Sequence, residues 1–91
     1  MLLTLEPGDD IAALVRGAEA GSIIVLISAS LDALSTSKAR ASIGPLAIEL
    51  APGQRLNAVC PAASAKSDDV AAAVAFLEQA RSTTGQLLDI A

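Results

Sequence analysis

The sequence predicts an α/β domain in three layers, about four parallel strands with three helices in the order β-α-β-α-β-α-β. Three observations predict it. The run "SIIVLIS" (22–28) is unbroken in β-branched residues and leucine, the pattern of a parallel strand buried on both faces. Segments with apolar residues at helical spacing lie on either side of it. Connections of only a few residues join the segments, and such alternation implies a parallel sheet with helices packed on it.

Residues 1–5, "MLLTL", are a short apolar run stopped by the turn signal Pro7-Gly8. Asp9 is placed as a helix N-cap, with Asp10 at the positive end of the macrodipole. Ile11, Leu14, Val15 and Ala18 then recur at helical spacing, and Gly21 ends the helix. The strand 22–28 and a polar stretch from Ala29 to Ser35 follow. A second helical pattern covers about residues 36–51 and is interrupted at Gly44-Pro45. Proline in a helix interior costs about 3 kcal/mol, so a kink or two short helices are expected there. "RLNAVCP" (55–61) is short, apolar and flanked by turn residues, hence a third strand. Ser67 is expected to cap a third helix with Val70, Val74 and Leu77 in one stripe, widened by Ala73, Phe76 and Ala80. Thr84-Gly85 leads into a last strand, "QLLDI" (86–90).

The 91 residues support one domain, residues 1–91. Hydrophobic residues make up 53% of the chain but only Phe76 is aromatic, so Leu, Ile, Val and Ala must fill the core. Such a core is thin, because aromatic side chains bury the largest areas. There is no His, which excludes Ser-His-Asp and Cys-His mechanisms, and the lone Cys60 can neither close an internal disulfide nor hold a metal alone. A reducing cytoplasm fits one unpaired cysteine. The net charge of −4, without a basic run or stacking aromatics, argues against nucleic acid as a partner. No apolar run approaches the roughly 18 residues of a membrane span, and "MLLTLEPGDD" carries acids where a signal peptide needs positive charge. A soluble cytoplasmic protein with no membrane partner is expected.

Several stretches together resemble the second half of the Rossmann-like fold of the short-chain dehydrogenases/reductases. "GSIIVLIS" (21–28) resembles the strand that delivers the family's catalytic serine, and "LSTSKA" (34–39) resembles its tyrosine-x-x-x-lysine segment. "LAIELAPGQRLNAVCP" (46–61) is similar to the end of the catalytic helix and the strand after it. "SDDVAAAVAFLE" (67–78) and "TGQLLDI" (84–90) are similar to the last helix and strand. The resemblance implies that Ser28 stands at the serine position and Lys38 at the lysine position.

The same resemblance implies that the chemistry has degenerated. In the family a tyrosine hydroxyl exchanges the proton at the substrate oxygen, and the lysine lowers its pKa and holds the nicotinamide ribose. Here the tyrosine position is Leu34, whose isobutyl group transfers no proton, and the chain contains no Tyr. Only five residues separate Ser28 from Leu34, a shorter connection than the family's. The family's cofactor half, with its glycine-rich phosphate turn, has no counterpart in these residues. The segment that covers substrate is reduced to the few residues between Pro61 and Ser67. The helix is about two residues short at Gly44-Pro45, roughly 200° of rotation, which puts the direction of Lys38 in doubt.

Ser28 and Lys38 are therefore catalytic remnants, and no residue is assigned to cofactor or metal. NAD or NADP is expected only if a partner supplies the binding half. Each remnant also has a plain structural account: Lys38 as a solvated lysine, Ser28 as a hydroxyl bonded to nearby backbone. Cys60 reads as a small hydrophobe, Asn57 as structural, and the pairs Asp9-Asp10 and Asp68-Asp69 as helix-start acids rather than metal ligands.

In the family the first two helices of this half form the main dimer surface. The resemblance thus implies that Ile11, Leu14, Val15 and Ala18, with Ile43, Leu46, Ile48 and Leu50, supply sheet packing and self-association together. With the first half absent, "MLLTL" becomes a sheet edge that seeks a partner. The leading expectation is a non-catalytic structural or interaction subunit, either a homo-oligomer or the companion of a full-length dehydrogenase. The alternatives are a subunit of an NAD(P)-dependent oxidoreductase completed by a separate cofactor-binding chain, and a decayed fragment without function.

Overall fold

The computed structural model describes residues 1–91. Its elements are β1 (Leu2–Leu5), α1 (Ile11–Arg16), β2 (Ser22–Ile27), α2 (Ala33–Leu50), β3 (Arg55–Pro61), α3 (Ser67–Gln79) and β4 (Leu87–Ile90). The strands form one parallel sheet in the order β1-β2-β3-β4, so the expected partial Rossmann-like alternation is present.

Strand parity divides the core. Leu3, Val25, Ala58 and Leu87 stand in one row across the sheet, and Thr4, Leu26, Val59 and Leu88 in the next. The first row faces α1 and α2, where Val15, Ala39, Ile43, Leu46 and Ala47 join Leu5, Ile23, Ile27 and Leu56 in the larger cluster. The second faces α3, where Ile24, Val59, Ala73 and Leu77 form a cluster of 4 buried residues. Each connection steps one strand in the same direction, yet α3 lies on the other face from α1 and α2. The third crossover therefore has the opposite hand from the first two. Since β-α-β crossovers are right-handed in about 98% of cases, β3-α3-β4 is the left-handed exception.

Local chemistry moves several boundaries. The cap of α1 is Asp10, not Asp9: its Oδ1 accepts the Ala12 and Ala13 amides at 3.0 and 3.4 Å. Asp9 instead closes the turn, its Oδ2 accepting the Glu6 amide at 2.9 Å. The helix ends at Gly17, well before Gly21, with the Gly17 amide donating to the Ala13 carbonyl at 3.1 Å. Helix α2 starts at Ala33, earlier than the apolar pattern, because Asp32 accepts the Ser35 amide at 2.7 Å.

Helix α2 then continues through Gly44-Pro45 as a single element. Pro45 and Ala41 are exposed, so the Ala41 carbonyl that loses its donor faces water, while Ile43, Leu46 and Ala47 hold the inner face on the sheet. Ser67 is the first residue of α3 rather than its cap; Lys66 holds that position with no side-chain cap bond. Phe76 is not in the core. It is 61% exposed beside Leu77, which is 0% exposed, because the single helix on that face turns Ala73 and Leu77 to the sheet and Phe76 to its flank.

Asn57 is the one polar residue that is buried as a whole. Its Nδ2 donates to the Thr83 carbonyl at 3.0 Å and its Oδ1 accepts the Gln86 amide at 3.0 Å. Arg55 Nη1 donates to the Ala80 carbonyl at 2.8 Å, placing a cation where the negative end of the α3 dipole lies. These contacts fasten the α3–β4 connection to β3. No helix of the molecule is long and apolar enough to cross a membrane.

Candidate functional site

Ser28 follows β2 at the carboxyl edge of the sheet. Its amide donates to the Leu5 carbonyl at 3.2 Å, prolonging the β1–β2 ladder by one bond. Its hydroxyl is 2.7 Å from Ser30 Oγ and accepts the Ser30 amide at 3.2 Å. The Ser28 hydroxyl thus ties down its own loop, a local use that serine side chains commonly make of nearby backbone.

Leu34 lies in the first turn of α2 and is 66% exposed. Lys38 is one turn further on and also exposed. It lines a hollow of about 430 Å³ between α2 and the β1–α1 loop, together with Ser35, Ser42, Asp9, Asp10 and the chain from Glu6 to Gly8. Ser42 donates to the Lys38 carbonyl at 2.7 Å. Ser28 does not line this hollow, so the structure does not bring the two remnants into one pocket.

Two of the acids around the hollow are committed to structure. Asp9 and Asp10 hold the turn and the α1 cap, as described above. The Ser35 amide holds the Asp32 carboxyl below the usual carboxylate range. Further along α2, Arg16 reaches Glu49 with two bonds of 2.8 and 2.7 Å. The bond from Arg16 lowers the Glu49 carboxyl's pKa, and Glu49 raises that of the guanidinium. Arg40 grips Asp89 of β4 in the same two-point manner and holds that carboxyl low. The contact with Asp89, and then with Cys60, raises the Arg40 pKa in turn. Cys60 is half-buried against the larger cluster, as a small hydrophobe would be.

These residues do not fit a dinucleotide. A phosphate would need free amides or cations, but the amino end of α1 is closed by the Asp10 carboxylate and Lys38 shares its hollow with three acids, Glu6, Asp9 and Asp10. Leu34 offers no hydroxyl where a reacting oxygen would sit. Asp68 and Asp69 are exposed in the first turn of α3, consistent with acids placed at the positive end of a helix.

Sequence spacing gave no hint of the ion pairs of α2, since Arg40 and Asp89 are 49 positions apart and Arg16 and Glu49 are 33. Asp32, four residues before the helical pattern, is an N-cap type of residue and marks the true start of α2.

The alternation of parallel strands and helices agrees with a direct comparison. The family described as SDR-like, short chain dehydrogenase-like protein, matches residues 8–90. No curated protein and no solved structure matches the chain. With 83 of 91 residues in the match (8 to 90 inclusive), the chain belongs to the short chain dehydrogenase-like family.

Proposed function

We propose that this chain is a non-catalytic member of its family and acts as a structural or interaction subunit, in a homo-oligomer or beside a full-length dehydrogenase. The observation that carries the proposal is Leu34. At the family's tyrosine position stands an aliphatic side chain, 66% exposed, one turn from a lysine whose hollow excludes the remaining serine. Proton transfer to a carbonyl oxygen needs a titratable group within hydrogen-bond reach, and none is placed there. A contiguous apolar trough lined by Leu2, Leu26, Val70 and Val74 supports the second part, since such surface is what partners cover.

The test is reductase turnover by the wild type and by Leu34→Tyr, with NADH and NADPH, over a panel of aldehydes and ketones. Neither protein is expected to turn over any of them. NAD(P)H-dependent reduction by either one alone overturns the non-catalytic reading.

One observation favours a rival. Lys38 faces a hollow at the carboxyl edge of the sheet and makes no ion pair, as a ribose-holding lysine awaiting a second chain would. That reading predicts NAD(P)H binding only in a mixed complex, with loss on Lys38→Ala. Calorimetry with and without a candidate partner chain distinguishes the two.

A further inference from the structure

Strand β1 is an outer strand of the sheet, with a neighbour on one side only. Its backbone bonds fix which groups that leaves open. The Met1 ammonium donates to the Ser22 carbonyl at 2.7 Å, and the Met1 and Leu5 carbonyls accept the Ile24 and Ser28 amides at 2.9 and 3.2 Å. Backbone groups alternate in direction from residue to residue along a strand, so Met1, Leu3 and Leu5 turn theirs to β2. Leu2 and Thr4 each turn an amide and a carbonyl to the open side.

Nothing blunts this edge. Sheet edges are commonly protected by charge, proline, a bulge or a covering element, whereas "LLTL" has no charge and no proline and pairs with β2 residue for residue. The other outer strand, β4, carries the charged Asp89. The open stretch of β1 is also short. The next outward amide, that of Glu6, is already taken by Asp9 Oδ2 at 2.9 Å, and Pro7 has no amide to offer.

We infer that β1 pairs with β1 of a second copy, antiparallel and about a twofold axis at Leu3, which joins the two four-stranded sheets into one. This rests on the interaction-subunit reading and names its contact. Leu2 of each copy exchanges both backbone bonds with Thr4 of the other, so every outward group of both strands is satisfied. Leu3 meets Leu3, as an isologous contact requires. No other antiparallel register does as well: an axis at Thr4 sets Leu2 against Glu6, whose amide is taken, and an axis at Leu2 leaves Thr4 with no residue opposite. Charge favours the same direction. Antiparallel pairing brings the Met1 ammonium of each copy toward Glu6 of the other, a carboxylate that belongs to no ion pair, whereas parallel strands would set ammonium beside ammonium. Helix α1 packs on β1 and leaves a hollow of about 560 Å³ at this edge, lined by Leu3, Leu14 and Ala18 among others. The second copy brings an identical apolar flank to close it.

Size exclusion with light scattering on the full chain is the test, with thermal unfolding to check that each variant folds. The wild type is expected at twice the 9.1 kDa chain mass. Thr4→Pro removes one outward amide and no bond to β2, and proline is tolerated on an edge strand where the missing amide would face solvent. It is expected at the single-chain mass with its cooperative transition retained. Should it fail to fold, a pair of cysteine variants decides. In a Cys60→Ser background treated with diamide, Leu3→Cys should form a covalent dimer, because facing residues between bonded pairs have Cα atoms about 4.5 Å apart, whereas Leu2→Cys, which faces Thr4, should not. A monomeric wild type overturns the inference and leaves the edge to a strand of another protein. A dimer that a folded Thr4→Pro leaves intact also overturns it, as does one that links through Leu2→Cys and not through Leu3→Cys. None of these results touches the non-catalytic reading, which falls only to reductase turnover.

Discussion

Arg40 of α2 and Asp89 of β4 form a two-point ion pair that ties the last strand to the opposite helical layer. Hydrogen-bonded to the guanidinium, Asp89 has its pKa lowered, as does Glu49 beside Arg16. The Asp32 cap is lowered by the Ser35 amide. A carboxyl whose folded pKa lies below its unfolded value, about 3.9 for Asp and 4.3 for Glu, contributes stability that is present above the unfolded pKa. That contribution is lost as pH falls through the folded pKa. The melting temperature should therefore be level from pH 7 to about 5 and fall below about pH 4. In the Arg16→Gln/Arg40→Gln double variant the acid fall should be shallower, with only the Asp32 contribution left of the three. An identical acid slope in both proteins would show that the two clasps do not couple to folding.

Asn57→Ala should be severely destabilising although it removes only a small polar group. The substitution leaves the Thr83 carbonyl and the Gln86 amide without their partners, in part-buried bonds to a fully buried side chain. A cost of roughly 2–4 kcal/mol follows for the two groups, and a melting temperature lower by on the order of 10 °C or more. Thermal unfolding monitored by circular dichroism measures it.

Neighbouring residues on α3 should behave in opposite ways. Leu77 is 0% exposed and belongs to the cluster of 4 buried residues, so Leu77→Ala is expected to cost about 2–5 kcal/mol. Phe76 is 61% exposed, and Phe76→Ala should stay within about 1 kcal/mol of the wild type. Urea titration of both variants decides it, and equal losses would mean that Phe76 is covered in solution.

Pro45→Ala should stabilise the protein. The position is exposed in the interior of a continuous helix, where proline is about 3 kcal/mol less favourable than alanine, and the variant regains an amide for the Ala41 carbonyl. The added freedom of the unfolded chain offsets about 0.4–1 kcal/mol, which leaves a gain of roughly 2 kcal/mol. A lower urea midpoint for the variant would mean that Pro45 is held by something more than its own helix.

The seven elements were legible because their periodicities are strong. "SIIVLIS" reads as a strand buried on both faces, and Ile23 and Ile24 do go to opposite clusters. What the pattern missed has local causes. Asp32 starts α2 before any apolar residue signals a helix, and Asp10 rather than Asp9 satisfies the α1 amides. Pro45 is tolerated because it faces water. The eight residues expected to serve sheet packing and self-association divide in the same way. Val15, Ile43 and Leu46 are buried, Ile11, Leu14, Ala18 and Leu50 are half-buried against the same cluster, and only Ile48, 78% exposed, points outward. The family resemblance pointed to Ser28 and Lys38 but gave no sign of their separation into a loop and a hollow, which depends on how the β1–α1 loop packs against α2.

The left-handed β3-α3-β4 crossover has a consequence for opening motions. The β1 to β3 portion with α1 and α2 holds the larger cluster, whereas α3 and β4 attach through a small cluster and the bonds of Arg55, Asn57 and Arg40. Amides in α3 and β4 should therefore exchange with solvent hydrogen through a partial opening of lower free energy than the global one, while those of β2 are released only by global unfolding. The last quarter of the chain would then detach as one cooperative unit, leaving a three-stranded remainder behind.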